Sequence, residues 1–181
     1  HGTLQAGYTA ESLTALEPFL YRNQGPAADG EPRVSGRVEA LATLTGWIGD
    51  LTIASTGSGS DILLGPVAAG RVHAEVNGSG LGTDRALYSV TATADSAQAF
   101  THAFQVARLQ LAGTPDSLHV TAGATAAGED RLYAAGVVQR ADSDSGSMFH
   151  ARLDEARLGG RSPWLLAAPA AIRIANGTAL L

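Results

Sequence analysis

Histidine is the side chain best suited to bind a metal ion or to transfer a proton near neutral pH, and this sequence has five of them. They are His1, His73, His102, His119 and His150. No two have the spacing of a metal site such as H-x-x-x-H, and none lies beside a pair of carboxylates. Their scatter favours solvated surface histidines over a metal centre or a catalytic site.

Two acidic residues have part of the pattern of a calcium-binding loop. Asp142 and Asp144 precede Gly146 in the form D-x-D-x-G, but the Glu that would complete the loop is missing and Arg152 follows instead. A solvated turn is the better interpretation. The sequence also has no G-x-S-x-G motif for a nucleophilic serine. We therefore expect no enzyme activity, no metal and no cofactor.

The N-terminal His1 is similar to one part of the copper-binding histidine brace of lytic polysaccharide oxygenases. That site needs a second histidine and an aromatic axial residue, and those oxygenases have disulfides and a flat aromatic surface. The present sequence has no cysteine and few aromatic residues, 6% in total. His1 is better explained as a boundary residue. A copper enzyme is therefore the least favoured of three hypotheses for the function.

Composition excludes several classes of function for the 181 residues. The formal charge is −5, so no basic surface is expected to neutralise a phosphate backbone, and nucleic-acid binding is not predicted. The longest apolar run, residues 163–172, has two prolines and is half as long as the roughly 20 residues of a membrane span. If the protein is anchored in a membrane, its anchor is expected to lie outside this segment.

Apolar and polar residues alternate with a period of two in four separate parts of the chain, which is typical of strands with unlike faces. Val72, Ala74 and Val76 alternate with His73 and Glu75, for example. The same pattern occurs at residues 34–44, 86–94 and 118–125. It predicts a β-rich region over residues 33–181. Turns are predicted at Thr56 to Asp61, Asn77-Gly78, Thr114 to Asp116, Gly128 to Asp130, Asp142 to Gly146 and Asn176-Gly177.

One short helix is predicted over residues 10–21. Leu13, Leu16 and Leu20 share a helical face, Thr9 is a possible N-cap, and Pro18 should end the helix. No second helical segment follows. The strands therefore have no predicted helical layer to cover their apolar side.

Two stretches resemble the repeating unit of TamB and related AsmA-like proteins. The first has the short apolar helix LTALEPFL, a polar linker, the strand VSGRVEALATLTG at residues 34–46, and a second strand at 48–55. The second is FHARLDEARLGGRSPWLLAAPAA at residues 149–171, which resembles an outward strand, a turn and the phrase Trp-x-Leu-x-x-Pro-Ala. Trp47 departs from the family, which often has a small or polar residue there.

The resemblance implies an all-β fold, an elongated and curved antiparallel sheet known as a β-taco or trough, here with about 12–14 strands and one short N-terminal helix. It implies that residues 1–181 are a single segment of a longer repetitive protein in the periplasm. It also implies a role in carrying phospholipid between the inner and outer membranes and in outer-membrane biogenesis, together with a BamA-like barrel partner of the full-length protein.

The apolar sides of the strands are expected to line a hydrophobic groove for acyl chains, and the residues there would contribute only hydrophobic surface. The predicted lining is Val38, Leu44, Leu51, Ile53, Val72, Val76, Tyr88, Val90, Leu118, Val120 and Val138. The large residues Trp47, Trp164, Phe19 and Phe149 are expected to pack in the core. The alternative prediction is a β-sandwich or solenoid with a closed, dry core, serving as an adhesin or a carbohydrate-binding module.

Overall fold

In the computed structural model, the described residues fold as one open antiparallel sheet of twelve strands, curved and not closed. The model describes residues 2–17, 33–47, 49–99, 102–126, 131–143, 146–160, 163–175 and 178–180. Neighbours in the sheet are neighbours in sequence from β1 to β9, after which β11 and β12 follow, while the short β10 pairs with β9. The prediction of an elongated, curved all-β sheet is confirmed.

Most strands are long, because each pairs with its neighbour over nearly its whole length. Their bounds are β1 Gly2–Ala10, β2 Val34–Trp47, β3 Asp50–Leu64, β4 Val67–Leu81, β5 Leu87–Ala99, β6 His102–Thr114, β7 Ser117–Thr125, β8 Arg131–Ser143, β9 Gly146–Gly159, β10 Trp164–Leu165, β11 Ala170–Ala175 and β12 Thr178–Leu180. Eleven strands in order span roughly 50 Å at about 4.8 Å per neighbour.

A line of backbone irregularities crosses the sheet from β2 to β5. The β2–β3 register shifts between Ser35 and Arg37, where Gly36 has φ +124°. On the neighbouring strands, Asp61 and Ser96 have φ near +55°, an unusual conformation for residues with a side chain. A bulge bends a strand and increases its twist, so the register shift between β2 and β3 provides a local cause for the curvature of the sheet.

The predicted helix over residues 10–21 is wrong in its start. Thr9 and Ala10 lie in β1, and the described part of the predicted helix is a 3₁₀ turn, Leu13–Leu16, followed by Glu17 with the helical backbone angles φ −53° and ψ −45°. Ser12 is the N-cap, and its Oγ accepts a hydrogen bond from the Thr14 amide at 3.3 Å. The helix cannot begin at Thr9, because the backbone of β1 is paired with β2 as far as Ala10. Residues 18–21 of the prediction, including Pro18, lie outside the described residues.

Two predicted turns are wrong because strand pairing overrides the local preference of their residues. Thr56 to Asp61 lies within β3, and Asn77-Gly78 lies within β4, where the two residues pair with Ser89 and Tyr88 of β5. The turn at Pro115 and Asp116 is confirmed and joins β6 to β7. Gly128 to Asp130, Asp144 and Asn176-Gly177 lie outside the described residues.

A single sheet leaves little side-chain surface fully buried. In the described part of the chain the buried apolar residues are Leu13, Val34, Ala86, Ala97 and Ala156, and no polar or charged residue is buried. The 3₁₀ turn contacts β2. In the parts of the chain that the structure describes, no helix has the length and apolar character needed to cross a bilayer.

We expect Gly36→Ala to destabilise the sheet by about 1–3 kcal/mol, because the positive φ disfavours a side chain. The new Cβ would also lie 2.9 Å from the Asp61 carbonyl oxygen and 2.8 Å from Ile62 Cδ1. The free energy of unfolding in urea measures this effect.

Gly123→Ala is the matched control, since the nearest atom to its added Cβ is the Leu132 carbonyl oxygen at 3.7 Å. Its unfolding free energy should stay the same or rise by less than about 1 kcal/mol. Equal losses in both variants would contradict the assignment of strain to Gly36.

Candidate functional site

One face of the sheet, which we call the apolar face, is formed by four rows of residues that run across nine strands. Residues paired between neighbouring strands lie on the same side of a sheet, so the pairings define each row. The rows are Leu4–Leu44–Ile53–Gly78–Tyr88–Gly113–Leu118–Val138–Ala151, Ala6–Ala42–Ser55–Val76–Val90–Leu111–Val120–Gly136–Leu153, Tyr8–Ala40–Gly57–Ala74–Ala92–Leu109–Ala122–Ala134–Ala156 and Ala10–Val38–Gly59–Val72–Ala94–Ala107–Ala124–Leu132–Leu158. No charged residue interrupts them, and Ser55 is their one aliphatic hydroxyl.

Ten of the eleven predicted lining residues belong to these rows. They are Val38, Leu44, Ile53, Val72, Val76, Tyr88, Val90, Leu118, Val120 and Val138. Leu51 lies two residues before Ile53, next to a shift in the β3–β4 register, and pairs with Gly46 and Leu81. The structure therefore brings the predicted residues together on one surface.

Sequence reasoning missed the apolar residues of β1, β6 and β9. Leu109 and Leu111 alternate with Arg108 and Gln110, so the period-two signal was present in β6. In β1, Leu4, Ala6 and Tyr8 alternate with Thr3, Gln5, Gly7 and Thr9, but the β-rich region was predicted only from residue 33. In β9 a register shift opposite Ala135 and Gly136 places both Leu153 and Ala156 on the apolar face, which breaks a strict period of two.

The opposite face, which we call the polar face, is lined by charged and hydroxyl side chains. Arg71 pairs with Asp95 at 3.4 Å, and Arg152 pairs with Asp154 at 2.7 Å. The Arg157 guanidinium lies 4.6 Å from the centre of the Tyr133 ring. These ion pairs are largely exposed to solvent, so each contributes little to stability. They keep this side of the sheet hydrated.

Both predicted polar-face histidines lie where the alternation placed them. His73 and His119 are exposed, and His73 Nε2 is 3.6 Å from Glu75 Oε1. No group of three or more His, Asp or Glu residues able to hold a metal ion occurs within the described ranges. His1 and Asp144 lie outside those ranges.

The apolar face is an open surface and not a tunnel. Tyr88, Leu109 and Leu132 lie in its rows, and their exposed fractions are 36%, 37% and 40%. A surface depression of about 590 Å³ lies over the polar face and is lined by residues such as Arg37, Arg71 and His73. The apolar face alone therefore does not enclose a ligand.

One row of the apolar face has mainly small side chains. We call it the alanine row; it includes Ala40, Gly57, Ala74, Ala92, Ala122, Ala134 and Ala156. The neighbouring row that begins at Ala6 has larger residues, among them Val76, Val90 and Leu111. This difference in side-chain size lowers the surface along the alanine row, except at Tyr8 and Leu109, which project from the same row.

The prediction that the large aromatic residues pack in a core is wrong for three of them. Trp47 is 67% exposed at the end of β2, Trp164 is 53% exposed in β10, and Phe149 of β9 is also exposed. A single layer has no interior that could bury them. Phe19 lies outside the described residues.

We expect the apolar face to bind the fluorescent dye 1-anilinonaphthalene-8-sulfonate while the protein is folded, because a contiguous apolar surface is accessible to solvent. Val90→Asp should reduce the fluorescence by about half, since it places a carboxylate in the middle of this face. Ser89→Asp, one residue earlier on the polar face, adds the same charge and should leave the fluorescence unchanged. Equal losses in the two variants would contradict dye binding at the apolar face.

The fold and this surface are the basis for comparison with known proteins. No protein-family model matches the chain, and the curated proteins and the solved structures give no significant match either. The resemblance to the TamB and AsmA-like repeat therefore stays a prediction.

Proposed function

We propose that this chain is a non-enzymatic, periplasmic segment of a TamB-like protein, and that its apolar face carries phospholipid acyl chains. One observation supports the proposal most directly. Four mainly apolar rows without a charged residue cross nine strands, and the described residues include no second layer that covers them. A soluble sheet normally buries such a face against another layer.

The size of the apolar face supports a ligand or partner on it. Nine strands and four rows cover roughly 40 Å by 20 Å at ordinary strand spacings. Monomeric soluble proteins rarely expose contiguous apolar patches larger than a few hundred square ångströms. A ligand or partner that removes this surface from water would contribute a stabilising free energy of about 25 cal/mol for each Å² of apolar surface buried.

An acyl chain has the right chemistry to bind this face. It forms no hydrogen bonds, and the apolar face has almost no side chain that could donate or accept one. Each methylene that is fully removed from water contributes about 0.8 kcal/mol. Contact with an open face removes only part of that surface from water. Neighbouring acyl chains would therefore pack against one another as well as against the protein, with the alanine row as the lowest part of the surface.

The resemblance to TamB-like proteins suggests where the segment lies and what it binds. By resemblance, the segment lies in the cell envelope between the two membranes and its membrane anchor lies elsewhere in the protein. The same resemblance supplies phospholipid as cargo, outer-membrane biogenesis as the process, and a BamA-like barrel as the partner of the full-length protein. The negative charge of the chain agrees with a partner other than nucleic acid.

The alternative prediction for the fold and function is a β-sandwich or solenoid with two apolar faces packed together, serving as an adhesin or a carbohydrate-binding module. The described strands form one sheet, so that face-to-face packing is not found among them. Binding of a carbohydrate or of an adhesion partner at the exposed loops stays a prediction, and no particular feature of the structure favours it.

Lipid extraction followed by mass spectrometry tests the proposal on the purified chain. We expect phospholipid to copurify with the protein. Val76→Asp and Val120→Asp should each reduce the bound lipid about tenfold or more, because an acyl chain offers no hydrogen bond to a carboxylate.

Asn77→Asp and His119→Asp are the matched controls, since each places an aspartate one residue away on an exposed, polar-face position. Both should retain lipid at the level of the unmodified chain. Circular dichroism and urea unfolding check that all four variants fold. A folded, lipid-free unmodified chain that also takes up no phospholipid from vesicles would overturn the proposal.

A further inference from the structure

A second depression on the polar face, of about 710 Å³, is surrounded by basic and aromatic side chains. They are Arg108 of β6, Arg131 and Tyr133 of β8, and Arg157 of β9. Its volume lies in the range of small-molecule pockets, about 300–1,000 Å³. Of the described residues that line it, none has a carboxylate, although the formal charge of the whole chain is −5. The depression is therefore a local positive region of an acidic protein.

Strand β7 forms the floor of this depression. Gly123 of β7 pairs with Arg108 on one side and with Tyr133 on the other, so that all three lie on the same face. Tyr133 pairs in turn with Arg157. Gly123 has no side chain, and the nearest atom to an added Cβ would be the Leu132 carbonyl oxygen at 3.7 Å. The row of side chains therefore has a gap between Arg108 and Tyr133 that a ligand can enter.

Two of the three arginines have no acidic partner. Within the described ranges Arg108 and Arg131 form no ion pair, and both are exposed. Elsewhere on the polar face, by contrast, Arg71 has a carboxylate oxygen of Asp95 at 3.4 Å. The acidic residues at positions 129 and 130 precede Arg131 and lie outside the described residues. The guanidinium groups of Arg108 and Arg131 are therefore available to an anion from solution.

The third arginine is held in place by two contacts. The Arg157 guanidinium lies 4.6 Å from the centre of the Tyr133 ring, and its Nε is 3.7 Å from Glu155 Oε1. Glu155 balances one of the three positive charges around the depression. The described side chains thus leave two positive charges without compensation, which matches the charge of a dianion.

The two unpaired arginines are placed to contact one anion. Arg108 and Arg131 lie on the strands on either side of β7, and their Cα atoms are about 12 Å apart at ordinary strand spacings. Thr125 pairs with Arg131 and lies beside Gly123 on the same face, where its hydroxyl can donate a further hydrogen bond. Guanidinium groups bind phosphate oxygens through paired N–H donors. A phosphate group has enough oxygens to accept from both arginines at once, whereas a carboxylate has two oxygens and a single charge.

We propose that this depression binds a soluble phosphate monoester, with the phosphate group above Gly123 and between Arg108 and Arg131. A phosphate monoester carries a charge of about −1.5 to −2 near pH 7, whereas the phosphodiester of a phospholipid headgroup carries a single charge. The surroundings of the depression are polar, so they offer no surface to the acyl chains of a lipid. The site lies on the opposite side of the sheet from the apolar face and is therefore independent of the proposed function.

Isothermal titration calorimetry with methyl phosphate tests the site, at low ionic strength because salt screens exposed charges. Arg108→Gln and Arg131→Gln should each weaken binding by about tenfold, since each removes charge-assisted hydrogen bonds to the phosphate. Arg71→Gln is the matched control, because it removes the same charge from another exposed position of the polar face. It should change the affinity by less than about twofold. Acetate should bind the unmodified chain at least about tenfold more weakly than methyl phosphate.

Filling the gap in the floor tests the site without a change of charge. Gly123→Leu places a side chain where the phosphate would lie and should weaken binding by about tenfold or more. Thr121→Leu is the control, since Thr121 is on the same strand and the same face but does not line the depression. Its affinity should equal that of the unmodified chain. Circular dichroism and urea unfolding check that every variant folds.

A folded, unmodified chain that does not bind methyl phosphate would overturn the proposed site, and so would equal weakening by Arg108→Gln and Arg71→Gln. Equal affinity for acetate would contradict the assignment to phosphate. Binding to phosphatidylglycerol vesicles that depends on Arg108, without binding of methyl phosphate, would identify a membrane surface as the ligand and would also overturn the proposal.

Two variants separate this site from lipid carriage on the apolar face. Arg108→Gln should lose affinity for methyl phosphate and retain copurified phospholipid. Val76→Asp should lose the phospholipid and retain its affinity for methyl phosphate. A chain that binds methyl phosphate but never phospholipid would support the site on the polar face while counting against the proposed function.

Discussion

Backbone hydrogen bonding between sequential antiparallel strands is the interaction on which this structure depends. Pairing extends from β1 to β12 without a second layer among the described residues. Because few side chains are fully buried, the ladder and the cross-strand side-chain pairs supply much of what a core provides in a compact domain. Such a sheet is extended and regular, and each strand contacts mainly its two neighbours. Stability is therefore distributed along the sheet.

The same ladder produces the two unlike faces. Since paired residues share a side, alternation within one strand becomes a row across the whole sheet only where the registers agree. They agree for four rows of the apolar face, and the β8–β9 bulge preserves that agreement by shifting the register opposite Ala135 and Gly136. A one-residue shift in the register of a strand, without a bulge to compensate for it, would place polar residues in the apolar rows. Among the described residues, the apolar face is the surface that this regularity leaves without a covering layer.

Local signals failed where pairing with a neighbour opposed them. Gly57 and Gly59 have the composition of a turn, yet they lie within β3 because β2 and β4 pair with it on both sides. Asn77-Gly78 is a strong hairpin signal, yet it lies within β4 for the same reason. In contrast, Pro115 and Asp116 form a turn, since proline lacks the amide that an interior strand needs. Trp47 is large and apolar but exposed, because a single sheet has no interior in which it could be buried.

The amino-acid sequence by itself determined the all-β class, the two faces and ten of the eleven predicted residues in the apolar rows, because period-two alternation is a property of each strand alone. Only the tertiary structure decided which strands are neighbours, that Gly2 to Ala10 form a strand paired with β2, and that the apolar face is open. These features depend on register and on contacts between distant residues, such as Leu4 with Leu44. A local pattern contains no information about its partner across the sheet, and for that reason neither the pairing of β1 with β2 nor the open surface could be derived from it.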